Sequence, residues 1–284
     1  MDMPEIITKI RADKWARNRF PGLSRRQVEE SLSQGWIRRA DGRRLPKGER
    51  VEPGAVLQTE EFEKVLDRLR QGSSVDGFRI VEARSDFCVV YKPVGVDSVP
   101  LRLEDERNVT ACLFAEFPEL WRRFDSAYPE LAVHRLDRHT EGLMIAALTP
   151  EAHARWRSHF DSGQVTKTYF AWVWGEPSEG VLTHRLECLG KGDRVVEAAD
   201  GPEFHCEVEI AEPVGFPRPH EDAHCCSVTC PGEGFRHQVR AQMALAGWPL
   251  VGDTVYDPEL SSRPTVDDRH FLYAVELQTP EGNW

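Results

Sequence analysis

VHRLDRHTEGLMI, residues 133–145, is the stretch from which the rest of the chain is best read. His134, Arg135, Asp137, Arg138 and His139 fall within six positions, and a strand-like apolar run follows at once. A packed core does not call for such a cluster, because unpaired charge is costly to bury. A site of chemistry at the mouth of a strand does.

Working outward, LMIAAL reads as a strand. After it, Thr149-Pro150-Glu151 supplies an N-cap, a proline at the first helical position and an acid in the first turn. That helix is expected to run to Asp161, with Gly163 beyond its end. Upstream, FRIVEARSDFCVVYKP alternates apolar and polar residues on both sides of Arg84-Ser85-Asp86, which predicts strand, turn, strand. Downstream, VTKTYFAWVWGEP, HCEVEIAEP, AHCCSVTC and FLYAVELQT are rich in β-branched and aromatic residues and predict further strands. FRHQVRAQMALAG predicts a helix that ends at Gly247 and carries Arg236 and Arg240 on one face. The body is therefore expected to be α+β with strands predominating.

The chain has 284 residues, 40% of them hydrophobic and 29% charged, enough for one large domain and a small one. It contains no run of about 18 apolar residues that could span a bilayer, and MDMPEIITKIRADKW lacks the apolar middle of a signal peptide. A cytoplasmic protein without membrane contact is expected. The seven cysteines form no small secreted framework, so reduced thiols are expected.

The formal charge of -11 is unevenly spread. Residues 1–58 hold 13 Lys+Arg against 8 Asp+Glu, a net of +5, and the remainder holds 23 against 39, a net of -16. A basic segment on an acidic body points to an anionic partner held by the first domain. Within it, Ser24 is placed to cap a helix bearing Val28 and Leu32, Gly35 to stop that helix, WIRR to form a short strand and Asp41-Gly42 to turn. This order resembles the small RNA-binding domain known as the S-four domain, through Ser24-Arg25, Gly35-Trp36-Ile37, Asp41-Gly42 and Pro53-Gly54-Ala55, although the final aspartate of that pattern is missing. The resemblance implies RNA phosphate contacts by Arg25, Arg26, Arg38, Arg39, Arg43 and Arg44. Residues 59–77, polar and ending in Gly72-Ser73-Ser74, read as a linker with a short helix in its middle, and 78–284 as the catalytic domain.

His134-Arg135-Leu136-Asp137-Arg138-His139-Thr140-Glu141-Gly142-Leu143 closely resembles the central motif of RluA-type pseudouridine synthases, His-Arg-Leu-Asp-x-x-Thr-Ser-Gly-Leu. Four further signatures of that family follow its order: Tyr91-Lys92-Pro93-x-Gly95, Lys167-Thr168-Tyr169-x-Ala171, His237-Gln238-Val239-Arg240 and Gly252-Asp253-x-x-Tyr256. The resemblance implies a pseudouridine synthase fold, a mixed and mostly antiparallel central sheet flanked by helices and loops. It also implies an isomerase that turns uridines of structured ribosomal or transfer RNA into pseudouridine. The reaction breaks the bond from ribose to ring nitrogen, turns the held uracil and joins its carbon five to the same sugar carbon. No redox change or external group enters, so no cofactor and no metal is expected, and the enzyme is expected to act as a monomer on RNA.

By this resemblance Asp137 is the catalytic carboxylate, acting as nucleophile or as base. Arg240 is the cation that keeps it ionised, since a neighbouring guanidinium lowers a carboxyl pKa. Tyr169 is the ring that stacks on the uracil, its hydroxyl placed for proton handling. A uridine in folded RNA must be flipped out to reach them, and Arg135 is the residue to fill the gap. His134, Arg236, His237 and Gln238 join Arg135 as expected substrate contacts. Two motifs depart from the family pattern: Gly-Arg-Thr-His-Gln reads Gly234-Phe235-Arg236-His237-Gln238 here, its arginine having become Phe, and Thr-Ser-Gly reads Thr140-Glu141-Gly142.

Other readings compete. Taken singly, a His-Arg-Leu-Asp tetrad is a surface turn with an ion pair, Tyr169 is sheet packing, and Lys92-Pro93 marks the end of a strand. His220 and His224-Cys225-Cys226-x-x-x-Cys230 could bind a metal, but adjacent cysteines on a strand point to opposite faces and fit no common zinc spacing. A catalytically silent RNA-binding or ribosome-assembly factor on the same fold is the remaining alternative, against which stand Asp137, Tyr169 and Arg240.

Overall fold

In the computed structural model, which describes residues 8–124, 126–190, 194–232, 234–264, 267 and 269–284, the chain divides into two compact units. The first comprises Met1–Asp76, Asp97–Ala132 and Leu148–Pro150; the second comprises Gly77–Val96, Val133–Ala147 and Glu151–Trp284.

The first unit begins with β1 (Ile10–Arg11), α1 (Ala12–Arg19) and α2 (Arg25–Ser33). Helix α2 starts where a capping box forms: the Ser24 hydroxyl accepts the Gln27 N–H, and the Gln27 side chain accepts the Ser24 N–H. Val28 and Leu32 lie four apart and are buried. Gly35, at φ 71°, takes the left-handed turn that lets the chain leave the helix. Next come β2 (Arg38–Arg39), β3 (Arg50–Val51) and β4 (Leu57–Gln58), with β1 pairing β3 and β2 pairing β4. The Asp41-Gly42 turn carries a single bridge, Arg38 to Arg44, rather than a full hairpin.

Residues 59–77, expected as a linker, behave otherwise. Most of the stretch is the helix α3 (Glu60–Gln71), which buries Phe62, Val65, Leu66 and Leu69 on one side. Phe62 meets Phe20 edge-on at 4.8 Å and stacks under Trp36 at 6.3 Å. Those four apolar positions follow helical spacing inside an acidic and basic surround, and the surround is what makes the segment look like a solvated connector. The segment between the second unit's β5 (Arg79–Ala83) and β6 (Phe87–Lys92) on one side and its later strands on the other returns to the first unit as α4 (Val109–Glu116). Gly72, at φ 71°, ends α3 against α4 so closely that a Cβ there would stand 2.3 Å from the Ala115 nitrogen.

The second unit continues with β7 (Thr140–Ala147), α5 (Pro150–Asp161), β8 (Thr166–Val173), β9 (Gly180–Leu189), β10 (Arg194–Glu197), β11 (Glu203–Ala211), β12 (His224–Pro231), α6 (Gln238–Leu245), β13 (Leu272–Thr279) and β14 (Gly282–Asn283). Among the described residues ten strands make one sheet in the order β10-β9-β11-β12-β8-β13-β7-β6-β5, with β14 added beside β13. Every pairing is antiparallel except β13 with β7. The fold is thus α+β with a mixed, mostly antiparallel sheet.

Alternation along β8 sets the two faces. Tyr169, Ala171 and Val173 pack on the side that also receives Val239 and Met243 of α6, while Phe170, Trp172 and Trp174 pack on the other. Cys226 and Cys230 lie with the first cluster and Cys225 with the second, so the adjacent thiols do face opposite ways; all seven cysteines are free. Helix α5 covers another part of the sheet, with Trp156 and Phe160 buried against Phe87, Val89 and Ile145. The parallel contact of β7 with β13 passes through Gly142, where a Cβ would lie 2.1 Å from the Ala274 carbonyl oxygen, so only glycine fits.

Candidate active site

Asp137 precedes β7 in a turn closed by the Thr140 N–H on its own carbonyl at 3.0 Å. This turn is held from below by Lys92. The fully buried Lys92 ammonium donates to the carbonyls of Val96 (2.8 Å), Pro93 (3.2 Å) and Arg138 (3.3 Å), and the Gly95 N–H also donates to the Arg138 carbonyl at 2.8 Å. A buried ammonium is tolerated when its donors are satisfied, and here they knit the end of β6 to the residue after Asp137.

Arg240 rises from the first turn of α6, with its side chain 7% exposed. Its Nε and Nη2 grip both oxygens of Asp253 at 2.7 and 2.9 Å, and its Nη1 donates to Asp137 Oδ2 at 2.9 Å. Asp253 is itself buried, and its Oδ1 accepts the N–H groups of Val255 and Tyr256 at 2.9 and 3.1 Å. The two-pronged grip fixes the guanidinium plane, so the remaining prong meets Asp137 at a set angle. Gly252 makes the tight turn before Asp253; at φ 74° a Cβ would sit 2.1 Å from the Arg269 carbonyl oxygen.

Burial by itself would push the Asp137 carboxyl up, but the cations around it win and hold it below the usual carboxylate range. His237, when protonated, and Arg240 contribute most to that balance. Burial also holds His237 below its ordinary value, so near neutrality the imidazole is uncharged and Arg240 carries the stabilising charge. Asp137 stays 26% exposed, an ionised carboxylate open on one side.

Tyr169 stands on β8 opposite Val228 and Ala274. Burial, with Cys230 and Asp137 adding to it, pushes its hydroxyl well up, so it is a donor at neutral pH and not a free base. Asp137, Tyr169 and Arg240 therefore gather in one place.

The other expected residues separate into groups. His134 stacks its ring on Phe160 at 4.7 Å and its Nε2 accepts the Ile145 N–H at 3.0 Å. Burial lowers its pKa to about 3, and the arrangement makes it an anchor for β7 rather than a group facing substrate. Gln238 is likewise engaged, accepting the Phe235 N–H and donating to the His205 carbonyl. Arg135 and Arg236 are exposed. Arg236 does not share a helical face with Arg240 as the spacing suggests, because α6 begins at Gln238. The cause is His237, the N-cap, which turns left-handed at φ 54° and is the one non-glycine residue with positive φ among those described. Such a conformation costs about 1–3 kcal/mol and persists where its surroundings demand it.

Arg25, Arg26, Arg43 and Arg44 are exposed in the first unit. Arg25 pairs with Glu29 and Arg43 with Asp41, while Arg44 donates to the Ser33 carbonyl. Arg39 pairs with Glu49, and Arg38 donates to the Gly35 carbonyl.

Asp253, Tyr256 and Lys92 complete the site although nothing in the sequence by itself gives them a catalytic part. All three stand in the family motifs, and the signal available is the need for buried partners to Arg240 and to the Asp137 turn. Among the described residues no group of three or more His, Cys, Asp or Glu is placed to hold a metal ion, and no helix is long and apolar enough to cross a membrane.

The chain resembles known proteins over much of its length. Residues 86–245 match the family model described as RNA pseudouridylate synthase. The dual-specificity RNA pseudouridine synthase RluA of Vibrio parahaemolyticus is 30% identical over 204 residues, which span 69% of this chain and 75% of that protein. The RluA protein of Escherichia coli is 32% identical over 173 residues, 59% of this chain and 72% of its own. An uncharacterized RNA pseudouridine synthase of Chloroflexus aurantiacus aligns over 280 residues at 28% identity, covering 97% of this chain and 83% of its own. Among solved structures, human RNA pseudouridylate synthase domain containing 1 superposes with a TM-score of 0.57 at 24% identity, covering 75% of this chain and 83% of that one.

Proposed function

The chain belongs to the RNA pseudouridylate synthase family and is an RNA pseudouridine synthase, an isomerase, and from this premise we propose that it modifies uridines of structured ribosomal or transfer RNA with Asp137 as the catalytic carboxylate. The observation that carries the assignment is the buried bridge from Asp253 through Arg240 to Asp137. It keeps one partly exposed carboxylate charged where the alternative, a neutral acid, would neither attack a sugar carbon nor take a proton.

Asp137 serves beside the ribose as nucleophile or base, and Tyr169 offers a ring for the uracil to stack on and a protonated hydroxyl at the base. Arg135, exposed two residues before Asp137, is suited to fill the gap left by a flipped uridine, whose extrusion costs a few kcal/mol. Exposed Arg236 is suited to a phosphate beside it. The relatives named dual-specificity enzymes favour more than one RNA as substrate. The exposed arginines at 25, 26, 43 and 44, in the S-four-like segment, support RNA capture by the first unit, and a cytoplasmic monomer fits this work. A silent RNA-binding factor would not need the strained and buried machinery around Asp137.

The test is a pseudouridine map, by chemical labelling, of total RNA from cells with and without the protein. Loss of discrete pseudouridines in ribosomal or transfer RNA, restored by the wild type and not by an Asp137→Asn variant, is expected. An unchanged map in both RNA classes would reject this substrate assignment.

A further inference from the structure

Asp137 has two oxygens, and Arg240 accounts for one. The other, Oδ1, faces His237 Nε2 at 3.6 Å. We propose that His237 is a positioning residue for Asp137, a neutral imidazole whose Nε2–H is aimed at the second carboxylate oxygen by a fixed tautomer. This goes beyond the reading of His237 as a substrate contact and rests on the role given to Asp137 above.

The tautomer follows from the partners. The Val195 N–H donates to the Tyr256 hydroxyl oxygen at 2.7 Å, so that oxygen's own proton is free to point elsewhere. It lies 3.0 Å from His237 Nδ1. Burial pushes the Tyr256 hydroxyl up, which keeps it a donor. With that proton directed at Nδ1, the imidazole's own N–H sits on Nε2, toward Asp137, and this is the tautomer the proposal assigns. The ring is held in this pose by Tyr256, whose plane meets it at 89° with centroids 5.7 Å apart, and by side-chain burial that leaves 10% exposed.

The backbone supplies independent support. His237 is left-handed at φ 54°, where glycine would sit without strain and where no other described non-glycine residue is found. Strain kept at a residue that touches the reactive carboxylate is an observation from which function can be argued. The turn brings His237 and Arg240, three positions apart, to the two oxygens of one carboxylate. At 3.6 Å the pair falls short of a hydrogen bond, and a seated uridine that moves Asp137 by a few tenths of an ångström would complete it. The charged and titratable groups around the pair are Arg240, Arg236, Asp253, His270, Tyr169 and Tyr256.

Removing a donor to an ionised carboxylate makes protonation easier, so the acid limb of the rate profile must move to higher pH. The measurement is single-turnover release of tritium, with saturating enzyme, from total RNA of cells lacking the protein and labelled with 5-tritiated uridine. His237→Gly, which adopts the left-handed turn freely and so keeps the fold, is expected to slow the step by on the order of 10-fold or more, below the roughly 10^4-fold loss from removing a charged orienting group in a catalytic triad. RNA affinity is expected to stay within about twofold, and the acid limb to rise. His237→Gln retains an N–H donor and should recover most of the rate. Tyr256→Phe frees the tautomer and should slow the step with the same limb shift. If His237→Gly left rate and limb unchanged, weakened RNA binding alone, or was no slower than His237→Gln, the proposal would be wrong. Activity in Asp137→Asn would instead sink the reading on which it rests, and the two failures are therefore distinguishable.

Discussion

Arg240 stands between two carboxylates, and the two contacts do different work. The Asp253 pair is buried and belongs to the fold; the Asp137 contact, in the function proposed above, belongs to the chemistry. Arg240→Met should therefore nearly abolish turnover and also destabilise the protein by about 3–5 kcal/mol, since Asp253 is left buried without its partner. Adding Asp253→Leu should return much of that stability in urea titration without returning activity. A double variant that regained turnover would show that the guanidinium is not what keeps Asp137 ready. Asp137→Asn, nearly isosteric, is expected to lose activity by roughly 10^4-fold or more with unchanged melting and RNA affinity. Legibility at this scale is uneven. Asp137, Tyr169 and Arg240 can be named from sequence because each lies in a motif whose order along the chain is diagnostic. His134 cannot be placed that way, because its bond to the Ile145 N–H depends on how the chain doubles back.

The turn before β7 and the segment before β13 hold two imidazoles, His134 half-buried and His270 buried, and these set an expectation for acid stability. Burial lowers His134 and His270 to about 3, against about 6.5 in an unfolded chain. Between those values the unfolded state binds protons that the folded state refuses, so stability is greatest above about pH 6.5 and falls as the pH drops toward 3. Melting followed from pH 7 to 4.5 should show this loss, with a slope of up to about 1.4 kcal/mol per pH unit from His270. His270→Gln should flatten it; an equal slope in the variant would mean that other groups are responsible. The elements themselves are readable where pattern and caps agree, as in β5 and β6, β7, β8 and α5. They are not where pattern fails. Strands β9 and β10 carry side chains exposed on both faces, so no alternation marks them, and α4 buries six of its eight residues and has no polar side to betray a helix. The start of α6 escapes the sequence pattern because a left-handed histidine ends the helical spacing two residues after Phe235.

At the scale of the molecule, charge separates the two ends of the chain, with +5 in residues 1–58 and -16 in the rest, the differences of 13 and 8 and of 23 and 39 charged residues. Deleting the N-terminal segment would strip α3 from α4, so substitution is the cleaner probe. Reversing Arg25, Arg26, Arg43 and Arg44 to Glu should weaken RNA binding most at low salt and flatten the log-log salt slope, by about 0.7 for each single-strand phosphate that is no longer neutralised. The chemical step on saturating RNA should change much less, since Asp137, Tyr169 and Arg240 all lie in the second unit. Unchanged affinity and slope would give those arginines another job. In the proposed function Asp137 is the carboxylate that isomerises uridine. Joining carbon five to the sugar expels the hydrogen there, so tritium release from RNA labelled at carbon five of uridine reports it directly. The wild-type protein should release tritium from ribosomal or transfer RNA that lacks its modification, and Asp137→Asn should release none; release by the asparagine variant at a comparable rate would mean that Asp137 is not the catalytic carboxylate.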